Sequence, residues 1–334
     1  MARGMVNALK KSEVLALLRE SGPEYVSGEE VCRRLGVSRT AIWKQIRALR
    51  EEGYAIEAAP RSGYRLTGVP DRLYSREILP GLGTEFMGRS FYYHESLDST
   101  NREAAKLAGG GAPEGSLVVT EEQTGGRGRL GRGWFSPRGL GLWCSLVLRP
   151  GISPGEAPPV TMLAAVAVSA AVEKVAGVSP GIKWPNDILV RGKKFCGILT
   201  EMNAEMEKVN FLVVGMGVNV NTPREEFPPE LADTATSLLQ VKGEKVSRQE
   251  LLKQLLREFE ALYRTWLQSG FGPVLAEWKR RCVTLNCPVR ISTPRESWEG
   301  WAEDVAEDGA LILRFPDGSR RSFVSGEVSL RTRD

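Results

Sequence analysis

The sequence predicts an α+β protein in three parts: a winged helix-turn-helix, a central mixed sheet with helices, and a small β-barrel. Apolar residues recur at helical spacing in the first 52 residues, and strand-like runs lie beside helical ones in the middle of the chain. Short alternating segments separated by Asp-Gly turns fill the carboxy-terminal part. We therefore place the domains at residues 1–68, 71–284 and 285–334, with a linker near residues 68–71.

The first domain has three helical segments at the spacing of a helix-turn-helix. Residues 12–18 have helical periodicity, and a capping box at Ser27 starts a second helix, which Gly36 ends. Ser38 can cap a third helix over residues 39–52. This order and spacing are typical of a helix-turn-helix.

The third helix and the segment after it form a candidate DNA-binding surface. The inner stripe of the helix consists of Ile42, Ile46 and Leu49. Its outer face carries Arg39, Thr40, Trp43, Lys44 and Arg47. Residues 54–66 alternate about a turn, which predicts a two-stranded wing carrying Arg61 and Arg65. Such side chains can reach phosphates and base edges in the major groove, and a dimer would read a two-fold site. The alternative is a winged helix that binds protein.

The charge distribution agrees with DNA binding but is weak evidence alone. The chain has a net charge of +4, and residues 1–70 hold 12 Lys or Arg against 8 Asp or Glu, so the remainder balances at 33 of each. The basic excess therefore lies entirely in the first segment. Because +4 is modest for a DNA-binding protein, the helix spacing carries more of the argument.

The central domain is predicted to be a mixed sheet with helices, followed by the barrel. Helical spacing occurs at residues 100–107, 159–175 and 247–268. Strand-like runs occur at residues 91–95, 117–120, 142–148, 195–201 and 211–220. The segments of the barrel are residues 289–292, 298–305, 311–315 and 321–325. The most apolar run, residues 160–172, is too short and too rich in Ala to span a membrane and is typical of a buried helix.

A glycine-rich loop with three arginines follows the strand near residue 120. Its sequence is Gly126-Arg-Gly-Arg-Leu-Gly-Arg132. Glycine lets the backbone approach phosphate oxygens, and the arginines offer fork-shaped, permanently charged donors. The loop lacks the Gly-Lys-Ser/Thr ending of a phosphate-binding P-loop and the glycine spacing of a dinucleotide fingerprint. We interpret it as an anion-binding loop, and the alternative is a solvated basic turn.

A second cluster of polar residues surrounds Pro185. It reads Lys183-Trp-Pro-Asn-Asp187, and Lys194 follows it just before an apolar run. Proline followed by Asn-Asp predicts a bend that displays these side chains together between apolar strands. The alternative is a surface β-hairpin that turns at Gly192.

These motifs, together with Asp98-Ser-Thr-Asn101 and Gly215-Met-Gly-Val-Asn219, resemble the biotin protein ligases, and the resemblance covers nearly the whole chain. The first domain resembles the DNA-binding module of the bifunctional members, which couple biotin ligation to repression of biotin biosynthesis and uptake genes. The last domain resembles the family's SH3-like domain. Leu130 stands where some members carry another arginine.

The resemblance implies a two-step reaction that uses ATP and Mg²⁺. Biotin first attacks ATP to give biotinyl-5′-AMP, and a lysine of a biotin carboxyl carrier protein, the acetyl-CoA carboxylase subunit, then takes the biotin. It also implies biotin-responsive repression at operator DNA and a ligand-linked homodimer. Two alternatives remain open: a lipoate or octanoate type of acyl ligase, and a non-catalytic biotin-sensing DNA-binding regulator.

The resemblance also implies site residues. Arg129 and Lys194 are the catalytic candidates, assisted by Lys183. The implied biotin-binding set is Ser99, Thr100, Asn101, Gln123, Gly126, Arg127, Gly128, Arg129 and Lys194. The implied ATP or adenylate-binding set is Arg129, Arg132, Trp134, Asn186 and Asn219. The metal ligands are left unassigned. For Ser99 and Thr100 the alternative is helix capping, and for Asn219 it is a buried turn asparagine.

Several classes of function are disfavoured by the composition. The five cysteines lack metal-ligand spacing and predict reduced thiols. Because His94 is the single histidine, no Ser-His-Asp triad is possible except one built on it. The first ten residues have no apolar core of signal-peptide type, so we expect a cytoplasmic protein with no membrane partner.

Overall fold

The computed structural model describes residues 2–293 and 296–330, and the chain divides into two compact units, Met1–Asp71 and Arg72–Asp334. The boundary coincides with the end of the predicted linker. Residue 1 and residues 331–334, which belong to the predicted first and third domains, lie outside the described residues.

The first unit is the predicted winged helix. Its elements are α1 (Ala2–Glu20), α2 (Gly28–Leu35), α3 (Arg39–Glu51), β1 (Ala55–Ala59) and β2 (Gly63–Gly68). The Ser27 hydroxyl accepts a hydrogen bond from the Glu30 amide at the start of α2, and Gly36 ends that helix in the left-handed region at φ 62°. Ser38 caps α3 in the same way as Ser27 caps α2. The predicted helix order, caps and two-stranded wing are confirmed.

The second unit is built on a mixed seven-stranded sheet in the order β3-β4-β5-β9-β8-β7-β6. Only β3 and β4 pair in parallel. The strands are β3 (Phe91–His94), β4 (Leu117–Thr120), β5 (Gly141–Leu148), β6 (Gly181–Lys183), β7 (Asp187–Val190), β8 (Lys193–Ala204) and β9 (Val209–Asn219). The predicted mixed sheet is confirmed, whereas the short strands β6 and β7 around the Pro185 bend were not predicted.

Helices cover both faces of this sheet. They are α4 (Ser75–Ile78), α5 (Thr100–Gly109), α6 (Pro159–Ala176), α7 (Leu238–Lys242), α8 (Arg248–Ser269) and α9 (Gly272–Arg281). Ala104 and Ala108 of α5 pack on one face, and α6 and α8 belong to the large core on the other. By length and composition the segment Pro154–Ala176 could cross a membrane, but most of it is buried inside the protein. It is therefore a core helix, as the sequence predicts.

A second sheet follows α9 and is antiparallel throughout. Its strands are β10 (Pro288–Ser292), β11 (Ser297–Val305), β12 (Leu311–Arg314), β13 (Arg320–Phe323) and β14 (Glu327–Leu330), in the order β13-β12-β11-β10-β14. Its apolar residues continue the core of the central sheet, so the predicted boundary near residue 285 separates two sheets within one compact unit. Among the described strands β13 and β14 stay unpaired with each other, and closure into an SH3-like barrel stays a prediction.

A buried ion pair holds α8 against the end of β4 and the start of β5, and the arginine loop lies between these two strands in the chain. Glu121 ends β4 and Arg248 begins α8, and both side chains are fully buried with Nη1 2.8 Å from Oε2. Arg248 also donates to the carbonyl of Gly141 at the start of β5. Gly139 donates its amide to the Glu121 carbonyl. A buried pair of this kind fixes geometry because losing either partner leaves an uncompensated charge.

Candidate functional site

A cavity of about 480 Å³ opens over β5, β9 and β8, which is within the usual range for a small-ligand site. It brings together nearly all the residues that the resemblance implies. The predicted residues that line it are Ser99, Thr100, Asn101, Gln123, Arg127, Gly128, Arg129, Arg132, Trp134, Lys183, Asn186, Lys194 and Asn219. Gly126 is the one predicted ligand residue outside this lining, and a Cβ there would lie 2.5 Å from the Trp134 carbonyl oxygen.

Two glycines of β9 allow side chains to lie directly on the floor of the cavity. A Cβ on Gly215 would be 2.1 Å from Asn101 Oδ1, and one on Gly217 would be 2.4 Å from Trp134 Nε1. No side chain fits in that space. The Gly-Met-Gly motif is therefore needed for close approach of Asn101 and Trp134 to the sheet.

At one end of the cavity, polar groups form a chain of hydrogen bonds. Gln123 Oε1 accepts from the amide of Thr100 at 2.9 Å and from its hydroxyl at 3.1 Å. Gln123 Nε2 donates to Ser136 Oγ. Because the Thr100 proton is used toward Gln123, its oxygen can accept from Ser145 Oγ, 2.8 Å away, and Ser145 also lies 2.7 Å from Asn101 Oδ1.

The same contacts decide the capping alternative for Ser99 and Thr100. Ser99 occupies the N-cap position of α5, but its side chain makes no capping hydrogen bond, and the Thr100 hydroxyl bonds to Gln123 instead. Asn101 Nδ2 donates to the Leu199 carbonyl and to Glu201 Oε2. These side chains therefore face the cavity and the sheet rather than the helix end.

The arginine loop forms a closed hairpin over the cavity. Gly128 donates to the Arg132 carbonyl, and Trp134 donates to the Gly126 carbonyl. Leu130 at the tip has φ 57° and is 69% exposed. Arg132 forms an ion pair with Glu327 at the surface. The loop thus turns Arg129 toward the cavity, while Arg132 lies at its outer edge.

Two cationic side chains, those of Arg129 and Lys194, line the cavity. Arg129 Nη1 donates to Asn186 Oδ1 at 3.1 Å, and Lys194 Nζ lies 2.6 Å from Asp187 Oδ1. Burial lowers the pKa of Arg129 below its ordinary value, and the carboxylate of Asp187 acts against that shift. The Pro185 bend supplies Asn186 and Asp187, while Lys194 comes from β8 after a second turn at Arg191 and Gly192. The Pro185 bend and the β-hairpin that turns at Gly192, which were alternatives in the sequence, are therefore both present.

The other end of the cavity contains two buried polar atoms with no hydrogen-bond partner in the described part of the chain. They are Trp134 Nε1 and Asn219 Oδ1. The amide nitrogen of Asn219 is already bonded to the Thr236 carbonyl, so its oxygen faces the cavity as an unused acceptor. Lys194 Nζ lies 5.1 Å from the centre of the Trp134 ring. A buried unpaired acceptor in a cavity wall is costly, so a ligand that donates a hydrogen bond there would be stabilised.

Four contributors were not identified as site residues from the sequence. Asp187 was noted only as part of a turn, and its pairing with Lys194 depends on the strand register. Ser145 lies in an apolar strand and gives no local signal. The spacing of Gly215 and Gly217 was a usable signal, because two glycines on alternate positions of a buried strand indicate close approach.

The described residues include no group of three or more His, Cys, Asp or Glu side chains arranged to hold a metal ion. The carboxylate of Asp187, which lines the cavity, is already paired with Lys194.

The predicted DNA-binding residues form an exposed surface on the first unit. Arg39, Thr40, Trp43, Lys44 and Arg47 are all exposed on α3. The predicted inner stripe of that helix is buried. Arg61 is exposed at the tip of the wing, with φ 67°. The division of α3 into an inner apolar and an outer polar face is as predicted.

Comparison with known proteins gives the same order of domains. Residues 10–65 match the HTH domain family, residues 93–219 the Biotin/lipoate A/B protein ligase family, and residues 284–331 the Biotin protein ligase C terminal domain. The chain belongs to the biotin protein ligase family, in the group whose members carry an amino-terminal helix-turn-helix.

Individual relatives support this assignment. The chain is 43% identical to the bifunctional ligase/repressor BirA of Bacillus subtilis, over 98% of this chain and 100% of that protein. It is 35% identical to the biotin–[acetyl-CoA-carboxylase] ligase of Mycobacterium tuberculosis, over 79% of this chain and 97% of that one. The biotin protein ligase of Aquifex aeolicus in complex with biotin and ATP superimposes with a TM-score of 0.63 at 28% identity, covering 72% of this chain and 98% of that one.

Proposed function

We propose that this protein forms biotinyl-5′-AMP from biotin and ATP, transfers the biotin to a lysine of a biotin carboxyl carrier protein, and represses biotin genes when biotin is abundant. The observation that carries the ligase assignment is the cavity itself. It combines a buried polar network at one end, two cations at the centre and unpaired polar atoms at the other. The names of these relatives indicate the substrates and the link to transcription.

The first step joins two anions, so the cations have the central role. A carboxylate oxygen of biotin attacks the α-phosphorus of ATP, and pyrophosphate leaves with the electron pair of the broken P–O bond. Arg129 and Lys194 offset the repulsion between carboxylate and phosphate and stabilise charge on the phosphorus as it becomes pentacoordinate. Lys183, from the same cavity wall, assists them.

The second step releases AMP. The uncharged amine of the acceptor lysine attacks the acyl carbonyl of the adenylate, the mixed anhydride breaks, and AMP leaves with the phosphate oxygen. Before this attack, Arg129 holds the phosphate of the adenylate until the acceptor arrives. The guanidinium suits this role because it stays charged and can bind two phosphate oxygens at once.

Biotin is placed with its ureido group in the polar network. The ureido head has one carbonyl acceptor and two N–H donors. Gln123 uses one of its two Nε2 protons toward Ser136, so the second can serve the ureido carbonyl. Ser99 and Thr100 supply hydroxyl oxygens for the N–H donors, and the loop residues Arg127 and Gly128 border the same pocket.

The nucleotide is placed at the other end, against Trp134 and Asn219. The Asn219 oxygen can accept from the exocyclic amine of adenine, and the indole offers a flat apolar surface. Arg132 and Asn186 contribute at the phosphate side of the cavity. Mg²⁺ would be held mainly by the ATP phosphates and water, and it would reduce the charge of the triphosphate.

Repression would use the winged helix as part of a ligand-linked homodimer in the cytoplasm. Ordering the arginine loop costs about 1 to 2 kcal/mol per residue, and phosphate contacts of the adenylate offset that cost. The loop tip exposes Leu130, an apolar surface available to a second copy once the loop is fixed. Binding of the adenylate would then favour the dimer and, through it, a two-fold operator.

The testing experiment is transfer of labelled biotin to a biotin carboxyl carrier domain, with and without ATP and Mg²⁺. A lipoyl domain with lipoate serves as the parallel substrate. We expect ATP-dependent biotinylation of the carrier domain alone. Biotin binding without transfer would favour the non-catalytic sensor, and lipoylation would favour the acyl-ligase alternative.

A further inference from the structure

A large apolar side chain stands among the charged residues on the outer face of α3. Trp43 is 53% exposed and lies to one side of the buried stripe of Ile42, Ile46 and Leu49. About half of its surface is therefore open to a partner. Single exposed apolar residues are common on protein surfaces, so the residues around the indole decide whether it marks a binding surface.

The surroundings of Trp43 favour a nucleic acid as that partner. Arg39, Lys44 and Arg47 are exposed on the same helix. The Arg47 guanidinium lies 5.8 Å from the indole centre, and its Nε is bonded to Glu51 Oε1 at 2.9 Å. Glu51 pairs with Arg47 and Glu29 lies 3.8 Å from Arg39, and all four side chains are largely exposed. Among these charged side chains the indole offers a flat apolar contact.

The position of Trp43 along the helix selects the part of the DNA that it reaches. It is the fifth residue of α3, in the amino-terminal half, and that half of a recognition helix contacts base edges in the major groove. There the apolar group unique to one base is the C5 methyl of thymine. Indole has one N–H donor and no acceptor, so it can add at most one hydrogen bond at a base edge, whereas its large apolar face matches the methyl group.

We infer that Trp43 determines operator specificity by packing its indole against thymine methyl groups in the major groove. The inference rests on the proposed DNA binding and adds which base the exposed face reads. Two copies of the chain would place one such contact in each half-site. The methyl contact supplies specificity, whereas Arg39 and Lys44 supply affinity for phosphate that does not depend on sequence.

The test begins by selecting a site and then removes methyl groups one at a time. Full-length protein with biotin, ATP and Mg²⁺ is used to enrich bound duplexes from a random DNA library. Each thymine of the enriched site is then replaced by uracil, which removes the methyl and keeps the base pair. Affinity is measured by fluorescence anisotropy. We expect about fourfold weaker binding for one thymine position in each half-site, the value for one buried methyl group.

Variants of the protein test whether Trp43 is the residue that contacts the thymine methyl group. Trp43→Ala should bind the thymine and uracil duplexes equally, and Trp43→Phe should keep the difference because it keeps an apolar ring. Neither removes a charge, so the salt dependence of binding should be unchanged. Lys44→Ala is the matched control from the neighbouring position. It should lower the salt dependence and leave the methyl effect intact. Thermal melting shows that each variant is folded.

The outcomes separate this inference from the proposed function. Enrichment of a site whose uracil duplexes all bind as well as the thymine duplexes overturns the inference and leaves DNA binding in place. Failure to enrich any DNA overturns both. A methyl effect that persists in Trp43→Ala assigns the reading to another residue. Loss of self-association in Trp43→Ala, with no loss of the methyl effect, assigns the indole to contact with a second copy.

Discussion

The two ends of the cavity, one beside α5 and the other beside Trp134, differ in whether their polar atoms have hydrogen-bond partners. Beside α5, Thr100 bonds to both Gln123 and Ser145. Beside Trp134, the indole nitrogen and the Asn219 oxygen are buried without a partner within the described residues. The first end is held in shape by its own hydrogen bonds, and we propose that the second is completed by the ligand. Substitutions should therefore affect the two substrates separately.

The largest effect is expected between the two ends, where charge develops in the reaction. Lys194→Ala should lower kcat for adenylate formation by about 10²–10³, because a preorganised cation at the reacting centre contributes on that scale. Biotin affinity should change much less. Rapid-quench measurement of adenylate formation gives the first quantity and equilibrium binding the second. Lys193→Ala is the control, because that lysine bonds to the Ala232 carbonyl. An equal loss in kcat and in biotin affinity would show that Lys194 binds biotin and has no separate role in catalysis.

Arg129→Gly should release the adenylate about 10 to 100 times faster, the range for a lost charged hydrogen bond. Free biotinyl-5′-AMP would then acylate bystander lysines. The off-rate is measured by chasing labelled adenylate with unlabelled ligand. Arg138→Gly is the control, because that arginine lies outside the cavity lining in an exposed ion pair with Glu95, and it should change the off-rate less than about threefold. An unchanged off-rate in Arg129→Gly would remove that residue from adenylate retention.

Asn219→Ala should raise the KM for ATP about tenfold and leave the KM for biotin within about twofold, because its oxygen belongs to the nucleotide end. Asn221→Ala is a matched control. That side chain is also buried, but both its amide groups bond to the backbone of Val246. The control should lose stability and keep its KM for ATP. If the two variants behave alike in both assays, Asn219 is a structural turn residue.

Ser145→Ala should give the smallest effect, a rise of about fivefold in the KM for biotin at unchanged KM for ATP. One neutral hydrogen bond contributes about 1 kcal/mol, and the ligand feels its loss only through Thr100 and Asn101. Ser169→Ala removes a buried hydroxyl that has no bonding partner among the described residues. It should change neither KM. A rise in both KM values for Ser145→Ala would contradict the division of the cavity into two ends.

Most of the fold is predictable because its signals are local. Ser27, Gly36 and Ser38 mark helix ends within one turn of the residues they cap, and the alternation along the longer strands is visible in the sequence. Strand β6 has three residues and β7 has four, too few for a period to appear. Helix α9 follows α8 almost directly and was missed as a separate element.

The candidate site was predictable where a motif carries it and not where tertiary pairing does. The resemblance led to Arg129, Lys194 and Asn219, and the structure places all three in one cavity. Ser145 appears in the sequence as one polar residue in an apolar strand. Its function as a bridge depends on α5 lying across the sheet, and no spacing along the chain records that contact.

The ion pair between Glu121 and Arg248 also bears on when the protein becomes active during synthesis. The partners are 127 residues apart, and Arg248 lies beyond every proposed ligand of biotin and ATP. A nascent chain that has exposed the whole arginine loop still lacks the cation that pairs with Glu121 at the base of that loop. We therefore expect the site to take its final shape only after α8 has emerged from the ribosome and docked, and truncated chains that end before α8 to retain adenylate poorly.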